Sequence, residues 1–218
     1  MHLVRLAEPP SRVGSDLRAI LTAIGTGDDV LGGVALIGLR LPGLALVIDA
    51  VLVLPRGLIV VSGIDLPGPA VRLVTPSHGP WLVDGWRLVR PAGSPVGGAL
   101  AAAGAVGARL QAPGAPDLPV AAVVAVGPYV REVLRPDGDG HGPPVVLHPT
   151  PRSLVRLATE LARAPVRCDA VTAGQVLAVL APGVEVAPQA LAAEGFDPTP
   201  PLAPPRRLSR GRGPGGRW

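Results

Sequence analysis

Residues 49–64 read DAVLVLPRGLIVVSGI, which is two apolar runs on either side of a short Pro-Arg-Gly turn. Runs rich in Val, Ile and Leu that flank such a turn predict two adjacent antiparallel β-strands. If Pro55 and Arg56 form a two-residue turn, continuing the pairing places Asp49 opposite Ser62. A carboxylate inside an otherwise apolar strand needs a partner, so Asp49 is the first candidate functional residue.

Side chains along a strand alternate between the two faces of its sheet. The pairing therefore predicts that Asp49 shares a face with Ser62 and Ile64. Asp65 is expected on the opposite face, unless the strand ends there. Strands that are apolar without interruption are typical of sheets covered on both sides, so we expect helices packed on both faces.

The rest of the chain predicts a mixed α/β protein with one central mixed β-sheet flanked by helices. Ser15 is the expected cap of the first helix. We expect one domain over residues 1–196 and a disordered tail rich in Arg, Gly and Pro over 197–218. The predicted strands are 34–41, 44–54, 57–64, 71–74 and 119–126, with a hairpin in 81–90, and the predicted helices are 15–24, 96–111, 150–164 and 172–181.

Charge is unevenly distributed along the chain. All twenty basic residues are arginine, and the segment 198–218 carries five of them and no acid. The remaining chain has fifteen arginines against sixteen acids, so it lacks the basic excess typical of nucleic-acid binding. The tail itself resembles segments that bind RNA or single strands by charge and stacking, although a solvated basic tail is the simpler interpretation. The candidate residues are Arg206, Arg207, Arg210, Arg212, Arg217 and Trp218.

The absence of certain residue types and apolar segments excludes or disfavours several classes of protein. A Walker A loop requires lysine, and the chain has none. The single cysteine, Cys168, excludes an intramolecular disulfide framework and fits a reducing, cytoplasmic location. No uncharged apolar run approaches the roughly 18–20 residues of a membrane span. The N-terminus lacks the apolar run of a signal peptide.

An acid in one strand, a short turn with glycine and a second apolar strand together resemble the nuclease-related domain (NERD) family. That family has the restriction-endonuclease-like PD-(D/E)XK fold. Trp81 and Gly85 match the Trp-x-x-x-G segment that follows in the family. The resemblance is best over residues 15–130 and extends to the helices of 150–181.

Carried over by position, the family's Asp, Glu and Lys fall on Asp49, Ser62 and Ile64. In that chemistry two carboxylates hold Mg²⁺ and the lysine helps to activate the attacking water. Serine is a poor ligand for Mg²⁺, and isoleucine supplies nothing polar. The resemblance therefore implies a degenerate, non-catalytic domain that needs no cofactor and has a binding or assembly role, with DNA as one candidate partner.

Two other interpretations stay open at this stage. In the first, the protein is a metal-dependent nuclease with a rearranged site, in which Asp49 joins Asp65 or Glu132 as a ligand of Mg²⁺. In the second, it is a nucleic-acid-binding protein that acts through its basic tail. If Asp49 has no chemical role, we expect a hydrogen bond or an arginine such as Arg40 to neutralise it.

Overall fold

The computed structural model describes residues 1–24, 32–76, 79–89, 95–111, 118–135, 144–161 and 168–198. The first half contains β1 (His2–Arg5), α1 (Arg12–Ile24), β2 (Val34–Arg40), β3 (Val47–Leu54), β4 (Gly57–Asp65), β5 (Ala70–Val74), β6 (Leu82–Val83) and β7 (Trp86–Arg87). The second half contains α2 (Pro95–Leu110), β8 (Val120–Gly127), β9 (Val130–Leu134), β10 (Val145–Leu147), α3 (Pro151–Leu161), α4 (Ala170–Leu180) and α5 (Pro188–Ala193).

Six strands form the central sheet, in the order β1-β2-β3-β4-β8-β10. Strand β3 runs antiparallel to both of its neighbours, whereas the other adjacent strands are parallel. The β3–β4 hairpin closes through the pair Leu54–Gly57, so the predicted two-residue turn is confirmed. The predicted mixed α/β architecture with a central mixed sheet is confirmed as well.

Helices cover both faces of this sheet, as the uninterrupted apolar strands predicted. On one face α1 and α3 bury Leu17, Leu21 and Leu154 against the strands. On the other face α2 and α4 bury residues such as Val106 and Leu177. Because these strands are apolar on both faces, each layer of helices removes apolar surface from water, which is the main source of stability.

A second, smaller sheet was not predicted. Its strands lie in the order β7-β6-β5-β9. Strand β4 leads into β5 and β8 leads into β9, so the parallel pair β4–β8 of the large sheet is followed by the parallel pair β5–β9 in the small one. Proline cannot donate to a ladder, and Pro67, Pro69 and Pro128 lie where the two strands pass from one sheet to the other.

The first helix begins earlier than predicted. It starts at Arg12 rather than near Ser15, and the Ser11 hydroxyl accepts a hydrogen bond from the Gly14 amide at 2.9 Å. Ser11 is therefore the cap, and Val13 extends the buried stripe of the helix by one turn. The short elements β1, β9, β10 and α5 were also missed.

The C-terminal boundary differs slightly from the prediction. The Ala170 amide donates to the Asp197 carbonyl at 2.9 Å, so Asp197 is still tied to the folded part. The predicted disordered tail otherwise lies outside the described residues, apart from Pro198. Within the described ranges, no helix has the length and apolar character needed to cross a membrane.

Where the register places Gly38 opposite Asp49, the side chains of both strands change the face of the sheet to which they point. Ile37 packs on the α1 side of the sheet, but Leu39, two residues further on, packs on the α2 side, and Ile48 and Ala50 differ in the same way. Gly38 between them has a φ of +70°, which glycine adopts without strain. The register of β2 against β3 is the same before and after this pair.

Replacing Gly38 by alanine should lower the free energy of unfolding by about 3 kcal/mol. The alanine would have to adopt the positive φ of this position, and its Cβ would collide with the Ala7 carbonyl oxygen. Gly43→Ala is the matched control, since its φ is also positive but nothing lies near its Cβ position. We expect the control to cost about 1 kcal/mol. Urea unfolding of both variants measures the difference, and equal losses would contradict the steric argument.

Candidate functional site

The β3–β4 ladder stops at the pair Ala50–Val61, although both strands continue. Beyond this pair a cavity of about 310 Å³ opens. Pro10 and Ser11, which immediately precede α1, and the first turns of α2 contribute to its walls. The cavity brings together the predicted site residues of both strands: Asp49, Ser62, Ile64 and Asp65.

Asp49 is buried, with 3 % of its surface exposed, and its carboxylate accepts three hydrogen bonds. Oδ1 accepts from the Ser11 hydroxyl at 2.5 Å and from the Ser11 amide at 3.3 Å, and Oδ2 accepts from the Gly63 amide at 2.7 Å. Continuing the register places Gly63 opposite Ile48. The Asp49 carboxylate therefore accepts the hydrogen bond that a carbonyl of β3 would accept from the Gly63 amide if the ladder continued.

Asp65 is the last residue of β4, and its carboxylate also accepts hydrogen bonds from the start of α1. Its carboxylate oxygens accept from the Arg12 amide at 3.0 Å and the Val13 amide at 3.1 Å. Together with the Ser11 hydroxyl, which accepts from Gly14, these bonds provide partners for the amides of the first helical turn. A negative charge is also favoured near a helix N-terminus by the helix dipole.

The predicted face is wrong for Asp49 but right for Asp65, which was expected on the face opposite Ser62 and Ile64 and lies there. Asp49 was expected on the face of Ser62 and Ile64, with Asp65 opposite. Instead both carboxylates bind the start of α1, while Ile64 packs against the α2 side. The change of face at the pair of Gly38 and Asp49 is the physical reason, because regular alternation would have turned the Asp49 side chain away from α1.

Burial is the main influence on the ionisation of Asp49, and it raises the pKa of this carboxyl above 3.8. Hydrogen bonds from Ser11 and Gly63 stabilise the carboxylate and act in the opposite direction. The negative charge of Asp65 adds a smaller increase. Hydrogen bonds, rather than Arg40, partner this carboxylate, since no ion pair joins the two described residues.

The other two positions of the resemblance contribute little polar chemistry. Ser62 is half-buried, and its hydroxyl has no hydrogen-bond partner among the described residues. Ile64 is 5 % exposed and packs in an apolar cluster with Ala99 and Val124. A neutral hydroxyl and a hydrocarbon thus stand where the family has a carboxylate and a lysine.

Glu132 does not join the two aspartates. It lies on β9 in the second sheet, and its carboxylate accepts from the Arg72 Nε at 3.3 Å. In the part of the chain that the structure describes, no three His, Cys, Asp or Glu side chains are grouped closely enough to hold a metal ion. Of the rearranged ligand sets, only the pair of Asp49 and Asp65 shares the cavity.

The basic tail and Cys168 were also named in the sequence, and Cys168 lies away from the cavity. The tail residues lie outside the described residues: Arg206, Arg207, Arg210, Arg212, Arg217 and Trp218. Cys168 is buried, and burial together with the charge of Asp169 raises the pKa of its thiol to about 12. A thiol that stays protonated is a poor nucleophile, so Cys168 belongs to the core.

Ser11 and Gly63 are the site residues that the sequence analysis missed. A serine immediately before an apolar periodic run is a recognised helix cap, so Ser11 carried a usable signal. Gly63 contributes a backbone amide and had no such signal. Comparisons of this chain with protein-family models, with curated proteins and with solved structures find no match. A proposal for the function therefore rests on the geometry of the site.

Ser11→Ala should lower the free energy of unfolding by about 2–3 kcal/mol, because it removes the helix cap and a hydrogen bond to a buried carboxylate. The matched control is Ser15→Ala, which changes an exposed serine inside the same helix and should be neutral or slightly stabilising. Chemical denaturation compares the two variants. A larger loss for Ser15→Ala would show that the cap is assigned to the wrong serine.

The raised pKa of Asp49 makes its protonated form favourable for folding. This contribution to stability is full below pH 3.8 and is lost as the pH rises through the raised pKa. Asp65→Asn should lower the pKa of Asp49 by removing a nearby negative charge, whereas Asp84→Asn on the β6–β7 turn should leave it unchanged. NMR titration of the Asp49 carboxyl carbon measures the pKa of Asp49 in each variant. Equal pKa values in the two variants would contradict the influence of the Asp65 charge on Asp49.

Proposed function

We propose that this protein is a degenerate nuclease-related domain that acts by binding or assembly and not by cutting nucleic acid. One observation carries the proposal: the carboxylates of Asp49 and Asp65 both accept hydrogen bonds from backbone amides that start α1 or end the β3–β4 ladder. Both acids therefore stabilise the fold, and this role accounts for their presence without any function in binding a metal ion.

The arrangement of the three family positions supports the relationship to nucleases. Asp49, Ser62 and Ile64 lie on the two strands that the resemblance assigns to them, and all three line one cavity. The replacement of the second acid and the lysine supports the loss of catalysis. A metal-bound water needs ligands that hold the ion and a group that stabilises developing charge, and neither Ser62 nor Ile64 supplies these.

One observation favours a second candidate, a nuclease with a rearranged site. Asp49 and Asp65 share the cavity and are close enough for the charge of one to raise the pKa of the other. Carboxylate pairs are the preferred ligands of Mg²⁺. Against this candidate, each of the four carboxylate oxygens already accepts a hydrogen bond, and a metal ion would compete with those donors.

Incubation of the purified full chain with linear and supercoiled DNA, in Mg²⁺ or Mn²⁺, separates these two functions. The proposed scaffold leaves the DNA intact, and calorimetric titration with MgCl₂ shows no saturable binding. Metal-dependent cleavage that disappears in Asp49→Ala would reject the scaffold proposal. Activity that survives in that variant would point to a contaminating nuclease and is removed by further purification before the comparison is made.

Ser62→Glu provides a positive test of the nuclease-like geometry. A third carboxylate at this position faces the cavity that already contains Asp49 and Asp65, so the variant should bind Mg²⁺ at millimolar concentrations. Ser15→Glu adds the same charge on an exposed helix position and should bind none. Calorimetry compares the variants, and equal behaviour would count against a nuclease-like cavity.

The basic tail supports a separate proposal for nucleic-acid binding. Five arginines and a terminal tryptophan without any acid are suited to phosphates and stacked bases. Deletion of residues 198–218 should then abolish any salt-sensitive binding of single strands. Binding that is unchanged by the deletion would place the interaction on the folded part. The buried, protonated Cys168 is consistent with the cytoplasmic location that we propose.

A further inference from the structure

Strand β1 lies at one end of the large sheet, and in the part of the chain that the structure describes its outer edge is open. It pairs with β2 on one side only. The amides of His2 and Leu6 each donate across to the β2 side at 2.9 Å. Alternate residues of a strand direct their backbone groups to the same side, so Leu3 and Arg5 direct theirs outward. This edge therefore offers two amides and two carbonyls to a further strand.

A groove of about 500 Å³ lies beside this edge, between β1 and α1. Leu3 packs with the residues of the α1 face, and alternation gives Arg5 the same direction. A residue of an added strand that pairs with either of them would therefore direct its side chain toward the groove. The groove is lined by Leu3 and Arg5 of β1, by Arg18, Ala19 and Thr22 of α1, and by the buried Ile37 of β2.

The charged side chains that line the groove are both arginines. Arg18 is exposed, and it forms no ion pair within the described ranges. Arg5 pairs with Glu8, and both of these side chains are largely exposed. An exposed pair contributes at most about 1 kcal/mol, so another carboxylate can replace Glu8 beside Arg5. An acidic side chain is thus complementary to the groove, and a basic one is repelled.

We infer that β1 is a docking site for an extended, acidic segment of a partner protein, which adds a strand to the large sheet. In an antiparallel arrangement the backbone of the segment bonds to Leu3 and Arg5. The residue opposite Arg5 is an acid, because Arg18 lines the same groove, and the residue opposite Leu3, two positions later, is apolar. The inference goes beyond the proposed function, because the docking site uses neither the cavity around Asp49 nor the basic tail.

A second copy of this chain is a poorer occupant of the edge. Two β1 strands paired antiparallel around Val4 would gather the Arg5 and Arg18 side chains of both copies on one face of the sheet. Like charges so placed oppose the pairing. The basic tail is disfavoured for the same reason, since it carries five arginines and no acid.

Backbone NMR of the full ¹⁵N-labelled chain tests the inference with the peptide acetyl-TTETVTT-amide, whose threonine and valine residues favour extended structure. We expect saturable shifts and slowed hydrogen exchange of the Leu3 and Arg5 amides, with a dissociation constant on the order of millimolar. The matched peptide acetyl-TTKTVTT-amide reverses the charge and should bind at least about tenfold more weakly. Acetyl-TTETPTT-amide lacks the amide that bonds to Leu3 and should also bind at least about tenfold more weakly. Equal binding of the three peptides would overturn the inference.

A pair of charge reversals locates the site on the protein. Arg18→Glu should weaken binding of the glutamate peptide about fivefold and strengthen binding of the lysine peptide, because the charge at the groove changes sign. Arg152→Glu is the matched control, since Arg152 is an exposed arginine of α3 on the same side of the sheet and does not line the groove. Both positions are exposed, so each variant should keep the parent fold, which its spectrum verifies. Equal weakening by the two variants would overturn the docking site in favour of a general effect of charge.

Sedimentation of the chain alone tests the second copy as the occupant. A concentration-dependent dimer that protects the Leu3 and Arg5 amides from exchange would overturn the inference, because another β1 would then cover the edge. Absence of peptide binding also overturns the docking site. The proposal of a non-catalytic scaffold depends on Asp49 and Asp65 and is decided separately by the DNA cleavage assay.

Discussion

The structure depends on the carboxylate of Asp49, which joins three parts of the chain at one buried point. Its oxygens accept from Ser11 at the start of α1 and from Gly63 on β4. A buried charge is tolerated only when it is well hydrogen-bonded, and here the donors come from a helix cap and from an interrupted ladder. The acid thereby holds the helix against the sheet at the place where the strands separate.

The same interaction supports the view of a nuclease-like scaffold without its reaction. In the function that we propose, Asp49 is retained for its structural task, although Ser62 and Ile64 stand at the positions that the resemblance gives to the other two catalytic residues. Asp65 supports the same conclusion, since its oxygens partner the first amides of the helix.

Local sequence signals were sufficient for the hairpin and for most helices. The pairing of β3 with β4 follows from two apolar runs and the turn at Pro55 and Arg56, all within one short segment. The direction of the Asp49 side chain was not predictable in this way, because it depends on the positive φ of Gly38 on a different strand. The second sheet was missed for a similar reason, since its strands are short and gain their order from the strands that precede them.

The continuation of β4 and β8 into the smaller sheet has a consequence for how the molecule loses its structure. Residues 66–69 join β4 to β5 and residues 128–129 join β8 to β9, so both connections between the two sheets are short. Opening the smaller sheet would pull directly on β4 and β8, two adjacent strands in the interior of the larger one. We therefore regard the two sheets as one cooperative unit, in which the smaller sheet is an outgrowth of the core and not an independently folding module.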